Sequence, residues 1–334
     1  MTKRTTAGTT TAVSTTTTAI LTGLGVPECL RWHRGALWFS DMAHGTVHRW
    51  TQADGARIVA EVPGRAAGLG WLPDGRLLVV SMDEHRVYRL EPDGALVVHA
   101  ELGDTAGGPA NDMLVDDAGR AYVGNFGFDY HRFVQQHPNS ALYVPPGPPR
   151  TSIVCFGPDG TRLGASEPLA FPNGCVITAD GTFVVAETLG LRLAALEIDA
   201  RGVPTGTRPW AALAPAVLWR LLNHPGLPGR VTRRISALLD RPAIAARSKS
   251  PIAPDGIALA PDGRTVWVAN ALRGECVRVA EGGRVLGRIR TSQHTLSCVV
   301  GGDGGDLLFA ATAPSDDPDV GGRLGGGRIE VAQL

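Results

Sequence analysis

Residues 254–270 read PDGIALAPDGRTVWVAN, a pattern that predicts two short apolar strands joined by a tight turn. The turn falls at Pro261-Asp262-Gly263, where glycine supplies a conformation that other residues resist. Asp255 lies outside this turn, immediately before an apolar strand. An unpaired carboxylate at the start of a buried strand is costly, so we expect it to have a partner, and the simplest partner is a metal ion.

The same pattern occurs six times in the chain when this stretch is included. The other copies span residues 27–39, 68–80, 111–123, 172–185 and 296–309. Most copies are followed by a third strand, and spacings of roughly 40 residues are typical of propeller blades. The sequence therefore predicts an all-β fold, a six-bladed β-propeller of four-stranded antiparallel blades, whose closed ring leaves no exposed sheet edges.

The predicted propeller covers residues 19–334 and follows a Thr-rich, disordered leader at 1–18, which lacks the apolar segment of a signal peptide. A strand near Ala19–Leu21 is expected to complete the last blade beside Arg328–Val331. The net charge is zero, so nothing indicates nucleic-acid binding. No run of residues is long and apolar enough to span a membrane. The five cysteines form no Cys-x-x-Cys pair, which favours free thiols and a cytoplasmic location.

Two segments interrupt the repeat. Residues 126–150 form a long aromatic and Pro-rich loop of blade 3, and loops of that length are often functional. Residues 208–249 form an insertion between blades 4 and 5 with eight Arg or Lys against one Asp. This insertion has two helix-like patterns, at 210–223 and 230–241. A helix pair packed on the propeller is the first interpretation, a lid over the central pocket is the second, and a membrane-surface patch is the third.

Four copies of the repeat have a polar residue at the corresponding position, just before the first strand. These residues are Glu28, Asn111, Asn173 and Asp255. The innermost strands of a propeller converge at one end of the central channel, so these side chains are expected to meet there. Two carboxylates and two amides offer only oxygen ligands, which suit a hard cation. The sequence predicts one divalent cation, with Ca²⁺ favoured and Zn²⁺, Mn²⁺ and Mg²⁺ as alternatives. The competing interpretation is that each residue caps a turn.

These motifs resemble the senescence-marker-protein/gluconolactonase/luciferin-regenerating-enzyme family of regucalcin-like six-bladed propellers. The resemblance rests on the order of Glu28, Asn111-Asp112, Pro172-Asn173-Gly174 and Pro254-Asp255-Gly256, and on the closing blade from Thr295. It implies that Glu28, Asn173 and Asp255 hold the cation. It also implies that Asn111 contacts the substrate or completes the metal shell. Members of the family hydrolyse lactones and related esters, and close relatives hydrolyse organophosphates.

The chain departs from the family at two places that bear on the substrate. Cys29-Leu30 follow the first glutamate where the family often has Gly or Ser and then Pro. Pro109 stands where sugar-lactone enzymes have an arginine. Aromatic and apolar residues surround this position, so we expect a small-molecule substrate other than a simple sugar lactone. The predicted substrate contacts are Asn111, Met113, Asn125, Phe126, Phe128 and His294.

The predicted mechanism is metal-dependent hydrolysis of a lactone or related ester. The cation polarises the carbonyl, Asp255 acts as base or nucleophile, and Asn111 orients the carbonyl. Histidines 131, 137 and 294 are candidate proton shuttles, although a lone loop histidine is more often a surface residue. Two alternatives stay open: a strictosidine-synthase-like propeller that catalyses a condensation or cyclisation, and a Ca²⁺-binding protein without catalysis. The sequence predicts no oligomeric state.

Overall fold

The protein is a six-bladed β-propeller, as the sequence predicts. A computed structural model describes residues 15–103, 107–143, 146–215 and 251–334, and the statements below concern those residues. Six antiparallel sheets of four strands each surround one central channel. Neighbouring innermost strands contact one another around the whole ring, including the contact between the first and last blades that closes it.

The first three blades follow chain order from the centre outward. Blade 1 consists of β2 (Pro27–His33), β3 (Ala36–Asp41), β4 (Thr46–Thr51) and β5 (Gly55–Glu61). Blade 2 consists of β6 (Ala66–Trp71), β7 (Leu77–Ser81), β8 (Arg86–Leu90) and β9 (Leu96–Glu101). Blade 3 consists of β10 (Ala110–Val115), β11 (Ala121–Asn125), β12 (Val154–Phe156) and β13 (Arg162–Ala165).

The last three blades complete the ring. Blade 4 consists of β14 (Pro172–Ile177), β15 (Phe183–Glu187), β16 (Arg192–Ile198) and β17 (Pro204–Ala212). Blade 5 consists of β18 (Pro254–Leu259), β19 (Val266–Asn270), β20 (Glu275–Val279) and β21 (Val285–Arg290). Blade 6 combines β22 (His294–Gly301), β23 (Leu307–Ala313) and β24 (Gly327–Gln333) with the N-terminal strand β1 (Thr18–Leu24).

The apolar core lies mainly between adjacent blades. Blades 1 and 6 share a cluster that includes Leu30, Phe39, Phe309 and Ile329, and similar clusters fill the other interfaces. This arrangement explains the near-continuous apolar runs in the repeats, because inner strands are covered on both faces. All five cysteines are buried and unpaired, as predicted, and behave as small apolar side chains.

The long loop of blade 3 contains two short helical segments. These are α1 (Tyr130–Gln136) and a 3₁₀ turn at Asn139–Leu142, and a second α-helix, α2 (Pro318–Leu324), precedes β24. Asp129 caps α1 by accepting a hydrogen bond from the Arg132 amide at 3.0 Å. None of the described helices is long and apolar enough to cross a bilayer.

The prediction of a helix from Trp210 was wrong for its first residues. Trp210 lies within β17, where its side chain is buried against Ile252 and other apolar residues between blades 4 and 5. A four-stranded blade needs this segment as its outer strand, so tertiary packing overrides the helix-like spacing. The rest of the first predicted helix, from 216, and the whole second one at 230–241 lie outside the described residues, as do residues 1–14.

The N-terminal strand closes the ring as predicted, pairing Leu21 with Ile329. It begins at Thr18, which pairs with Val331, so the end of the segment predicted as a disordered leader is ordered. Glu330, which is 1% exposed, anchors this closure. Its carboxylate accepts hydrogen bonds from Thr312 Oγ1 at 3.0 Å, from the Ser292 amide at 3.1 Å, and from the Thr17 hydroxyl. Burial alone raises the pKa of Glu330, but the hydrogen bonds from Ser292 and Thr17 outweigh that effect and the pKa is lowered.

We predict that Glu330→Gln lowers the free energy of unfolding by about 2 kcal/mol at neutral pH, because the mutation removes charge-assisted hydrogen bonds. A depressed carboxyl pKa stabilises the fold above the pKa of the unfolded state, and this stabilisation is lost as the pH falls. The difference in the free energy of unfolding between variant and wild type should therefore become smaller at acidic pH. Urea denaturation at several pH values measures it. Glu101→Gln, which removes an exposed carboxylate from an ion pair, is the control and should cost at most about 0.5 kcal/mol.

Candidate active site

The candidate site lies at the end of the channel where the innermost strands begin. In each blade the first residue of the innermost strand pairs with the end of the second strand, for example Pro172 with Glu187 and Pro254 with Asn270. A β-bulge follows at once in all six blades. The predicted ligands are the residues just before or within these bulges, and bulges commonly redirect side chains beside functional sites.

The glycines after two candidate ligands are required by packing between strands. A Cβ on Gly174 would lie 2.6 Å from the backbone nitrogen of Ile257, and one on Gly256 would lie 2.6 Å from the hydroxyl of Ser297. These glycines let β14 approach β18 and let β18 approach β22. The motifs Asn173-Gly174 and Asp255-Gly256 thus belong to converging strands, whereas the competing interpretation placed them in turns.

In blade 1 the residue after the candidate ligand is not a glycine, and its backbone is strained. Cys29 follows Glu28 in the bulge and has φ of 53°, in the left-handed region that side chains rarely adopt. Its amide donates a 2.8 Å hydrogen bond to the Glu28 carboxylate. Phe171, before Pro172 and Asn173, also has a positive φ of 59°. Two strained residues beside candidate ligands are typical of functional sites.

All four predicted ligands line one cavity of about 100 Å³. Asn111, Asn173 and Asp255 are each 7–8% exposed, and Glu28 keeps a somewhat larger part of its surface toward the cavity. Asn173 Nδ2 lies 3.4 Å from Thr188 Oγ1, which in turn donates to the Pro254 carbonyl at 2.7 Å. The propeller therefore brings together residues from blades 1, 3, 4 and 5.

The two carboxyl groups have no ion-pair partner among the described residues, and Asp255 is buried whereas Glu28 is partly buried. The pKa of Glu28 is raised to about 8, mainly by burial; the hydrogen bond from the Cys29 amide opposes this rise, and the charge of the nearby Asp112 contributes to it. Burial also raises the pKa of Asp255 well above its ordinary value, and the charges of Glu28 and Asp316 add to this. Arg65 lines the cavity, but its guanidinium binds both carboxylate oxygens of Asp83.

An ion pair lies deeper in the channel. Arg31 of β2 donates a 2.6 Å hydrogen bond to Asp112 of β10, and Asp112 also accepts the Met113 amide at 2.7 Å. This pair joins blades 1 and 3, and Arg31 also lines a separate cavity of about 380 Å³ further along the same strands. The sequence analysis missed this pair, because residues of non-adjacent blades show no sequence signal of their contact.

An aromatic wall faces the carboxylates. It is formed by Phe126, Tyr130, Tyr143 and Phe171, and the rings of Phe126 and Phe171 stack with centroids 4.3 Å apart. Burial raises the pKa of both tyrosines, so they are neutral phenols at physiological pH. Apolar side chains from the other blades, including Met42, Met82 and Leu296, complete the lining.

The loop of blade 3 reaches across the mouth to the opposite blade. The Tyr130 hydroxyl donates to Asp316 at 3.2 Å, and Nδ1 of His131 lies 3.7 Å from Asp317. Asp317 also caps α2, accepting the Asp319 amide at 2.9 Å. The predicted long loop therefore covers the cavity, with Tyr130 and His131 among its lining residues.

Four predicted substrate contacts are not brought to the cavity lining. Met113 is 1% exposed in the apolar core, and Phe128 packs behind the aromatic wall against Phe171 and Leu142. His294 is exposed beside the Ala271 carbonyl. Asn125 is fully buried at the end of β11, accepts the Gly127 amide at 3.0 Å and donates to the Ser152 carbonyl at 3.1 Å. The other two predicted substrate contacts, Asn111 and Phe126, do line the cavity.

The donor set fits a hard divalent cation. No cluster of three His, Cys, Asp or Glu side chains with metal-binding geometry occurs in the described part of the chain. The candidate set instead combines two carboxylates with two amides, and all four offer oxygen atoms. The Asn111 side chain forms no hydrogen bond with any described residue. A cation would also relieve the repulsion between Glu28 and Asp255.

Comparison with known proteins identifies the family. Residues 26–314 match the family described as "SMP-30/Gluconolactonase/LRE-like region", and this protein belongs to it. No curated protein matches the chain significantly.

Three solved structures illustrate the shared fold. A luciferin-regenerating enzyme is 17% identical, with a TM-score of 0.69 and 95% of each chain covered. A gluconolactonase from Xanthomonas campestris is 18% identical, with a TM-score of 0.64 and 95% of this chain and 88% of the other covered. A calcium-binding protein, regucalcin, from Agrobacterium tumefaciens is 18% identical, with a TM-score of 0.65 and 97% of each chain covered.

We predict that Glu28→Gln reduces the loss of stability of the metal-free protein as the pH rises. A carboxyl whose pKa is raised on folding stabilises the fold while it is protonated, and this contribution disappears as the pH rises from about 4.5 to about 8. Each pKa unit corresponds to about 1.4 kcal/mol, so the variant should gain a few kcal/mol relative to wild type at alkaline pH.

Urea denaturation with a chelator, at about pH 5 and about pH 8, measures this effect. Glu61→Gln, which removes an exposed carboxylate, is the control and should follow wild type. If the free energy of unfolding depended on pH in the same way in wild type and Glu28→Gln, the raised pKa of Glu28 would be contradicted.

Proposed function

We propose that this protein hydrolyses a lactone or a related ester with one bound divalent cation. The observation that carries the proposal is the pair of carboxyl groups of Glu28 and Asp255, which line one cavity together with two amides and have no ion-pair partner among the described residues. Family membership and the gluconolactonase among the similar structures support a lactonase-like reaction.

Four side chains are assigned to the cation: Glu28, Asn111, Asn173 and Asp255. A divalent cation at this place would supply a Lewis acid that polarises a carbonyl oxygen and stabilises negative charge on it. Ca²⁺ is the favoured ion because the ligands are hard oxygens, and a similar structure is a calcium-binding protein.

The remaining chemistry falls to residues of the chain. Asp255 is proposed to accept a proton from the attacking water or to attack the carbonyl carbon itself. Asn111 has an unused side-chain amide and is proposed to orient the carbonyl. Thr188 positions Asn173 through their contact of 3.4 Å. The loop over the mouth limits the access of bulk water, which strengthens each polar interaction inside.

The lining indicates an ester with a substantial apolar portion. Phe126 and Phe171 form a stacked surface, and Met42 and Met82 lie in the walls from blades 1 and 2. Pro109 stands where the family's sugar-lactone enzymes have an arginine, so a donor for sugar hydroxyls is missing at that position. The proposed substrate is therefore less polar than a simple sugar lactone.

We predict that Asp255→Asn and Asn111→Ala each lower kcat/KM for hydrolysis of the best lactone or ester by at least about a hundredfold, a typical loss for a group that acts in the transition state. A panel of aliphatic and aromatic lactones and esters, with added Ca²⁺, provides the substrate. Asp303→Asn and Asn139→Ala change exposed residues outside the cavity lining and should retain wild-type rates. Full activity of Asp255→Asn would contradict the proposed role.

We predict that a chelator lowers the melting temperature by about 5 °C and that Ca²⁺ restores it, because an ion at a hundred times its Kd stabilises a fold by about 2.7 kcal/mol. Asp255→Ala should show no response to chelator or ion. Elemental analysis should find about one ion per wild-type chain and none in the variant. No stabilisation by any divalent ion would contradict the metal-dependent function, whereas a bound ion without hydrolysis would favour a binding protein.

A further inference from the structure

A third carboxylate faces the same cavity and has no part in the proposed set of cation ligands. Asp316 lies in the loop after β23 of blade 6, on the side of the ring opposite the long loop. Within the described residues it forms no ion pair, and the hydrogen bond it accepts comes from the Tyr130 hydroxyl at 3.2 Å. Asp316 is exposed at the mouth of the cavity.

The charges that the described residues bring to the cavity do not balance even with a divalent cation in place. Such an ion would compensate Glu28 and Asp255, and this leaves the charge of Asp316. Among the described residues, two arginines at or beside the cavity are already engaged, since Arg65 binds Asp83 and Arg31 binds Asp112. Asp316 is close enough for its charge to raise the pKa of both Glu28 and Asp255. The cavity therefore retains one negative charge at its mouth.

Aromatic rings lie next to this negative charge. Tyr130 contacts Asp316 directly, and its ring centroid is 5.9 Å from that of Phe171 and 6.3 Å from that of Phe126. The faces of such rings attract cations, and attraction by a carboxylate at the same place adds to it. Aromatic rings beside a carboxylate are a common way to bind a protonated or quaternary amine.

The opposite end of the cavity carries a polar group, the side chain of the proposed cation ligand Asn111. The Asn111 side chain is 8% exposed and has no hydrogen-bonding partner in the described part of the chain, although it lines the cavity. Its oxygen is assigned to the cation, which leaves its NH2 group open to the cavity for a polar atom of the substrate. The cavity thus has a polar end at Asn111 and an acidic, aromatic mouth at Asp316.

We propose that the substrate is an ester or lactone that also carries a positively charged amine, bound by Asp316 and the aromatic wall of Phe126, Tyr130 and Phe171. The ester group lies at the inner end, beside Asn111 and Asp255. This inference rests on the proposed hydrolytic function, and it makes Asp316 a specificity-determining residue.

The test compares two isosteric substrates in the presence of Ca²⁺: an ester of a trimethylammonium-ethyl alcohol and the matching 3,3-dimethylbutyl ester, which differ in charge but hardly in shape. Wild type should show a kcat/KM ratio in favour of the charged ester of at least about tenfold, the size expected for a cation that contacts both an aromatic face and a carboxylate. In Asp316→Asn this ratio should fall about tenfold.

Two variants separate the charge from its surroundings. Tyr130→Phe removes the hydrogen bond to Asp316 but keeps the carboxylate and the ring, so the preference for the charged ester should persist. Asp319→Asn removes an exposed carboxylate outside the cavity lining, three residues from Asp316, and should leave the ratio within about twofold of wild type. A ratio unchanged in Asp316→Asn would overturn the proposal.

A binding measurement distinguishes failure of this inference from failure of the proposed function. Calorimetric titration with hexyltrimethylammonium and with its uncharged trimethylsilyl isostere requires no catalysis. Preferential binding of the ammonium ion by wild type, lost in Asp316→Asn, would support the amine site even if no ester were cleaved. Ester hydrolysis without a preference for the charged partner in either assay would keep the function and reject the amine site.

Discussion

The structure depends on the close approach of six innermost strands around one narrow channel. Each blade buries both faces of its inner strands against its neighbours, so the ring is stable only when it closes, and the N-terminal strand closes it beside Glu330. Where inner strands approach closely, Gly174 and Gly256 have no room for a side chain. The same convergence brings residues that lie more than 200 positions apart in the sequence, such as Glu28 and Asp255, to one cavity.

Convergence has an electrostatic consequence that connects the fold to the proposed chemistry. Two carboxylates that leave water without a basic partner are destabilised, and their raised pKa values express this cost. The protein neutralises other buried charges within itself, as with Asp112 and Arg31. Glu28 and Asp255, which lack a basic partner in the described part of the chain, therefore destabilise the protein locally, and a bound cation would offset this cost. The strained backbone at Cys29, directly after Glu28, points to the same place.

The loops add selectivity to this ring. The blade-3 loop crosses the mouth and meets the blade-6 loop through the contact of Tyr130 with Asp316, so an aromatic surface and a carboxylate from opposite blades share one opening. The proposed cation ligands lie on the inner strands, whereas the groups proposed to select the substrate lie in loops. This division lets the scaffold keep its inner chemistry while the loops determine which molecules enter.

Much of the fold could be predicted from the sequence alone, because hydrophobic periodicity and a position repeated in each copy are local signals. These features are the number of blades, the inner strand of each, the closing strand, and the four polar residues that line the channel. Prediction from the sequence failed where a contact depends on blades that are distant in the chain. Nothing in the spacing indicated that Arg31 reaches Asp112 or that Asp316 faces Tyr130. The sequence also did not predict that the Asn125 side chain forms hydrogen bonds with the backbone. An asparagine at a strand end has the same sequence pattern whether its side chain faces a cavity or a loop. Only the closed ring decides these pairings, because side-chain direction at a strand end is set by bulges and by the neighbouring blades.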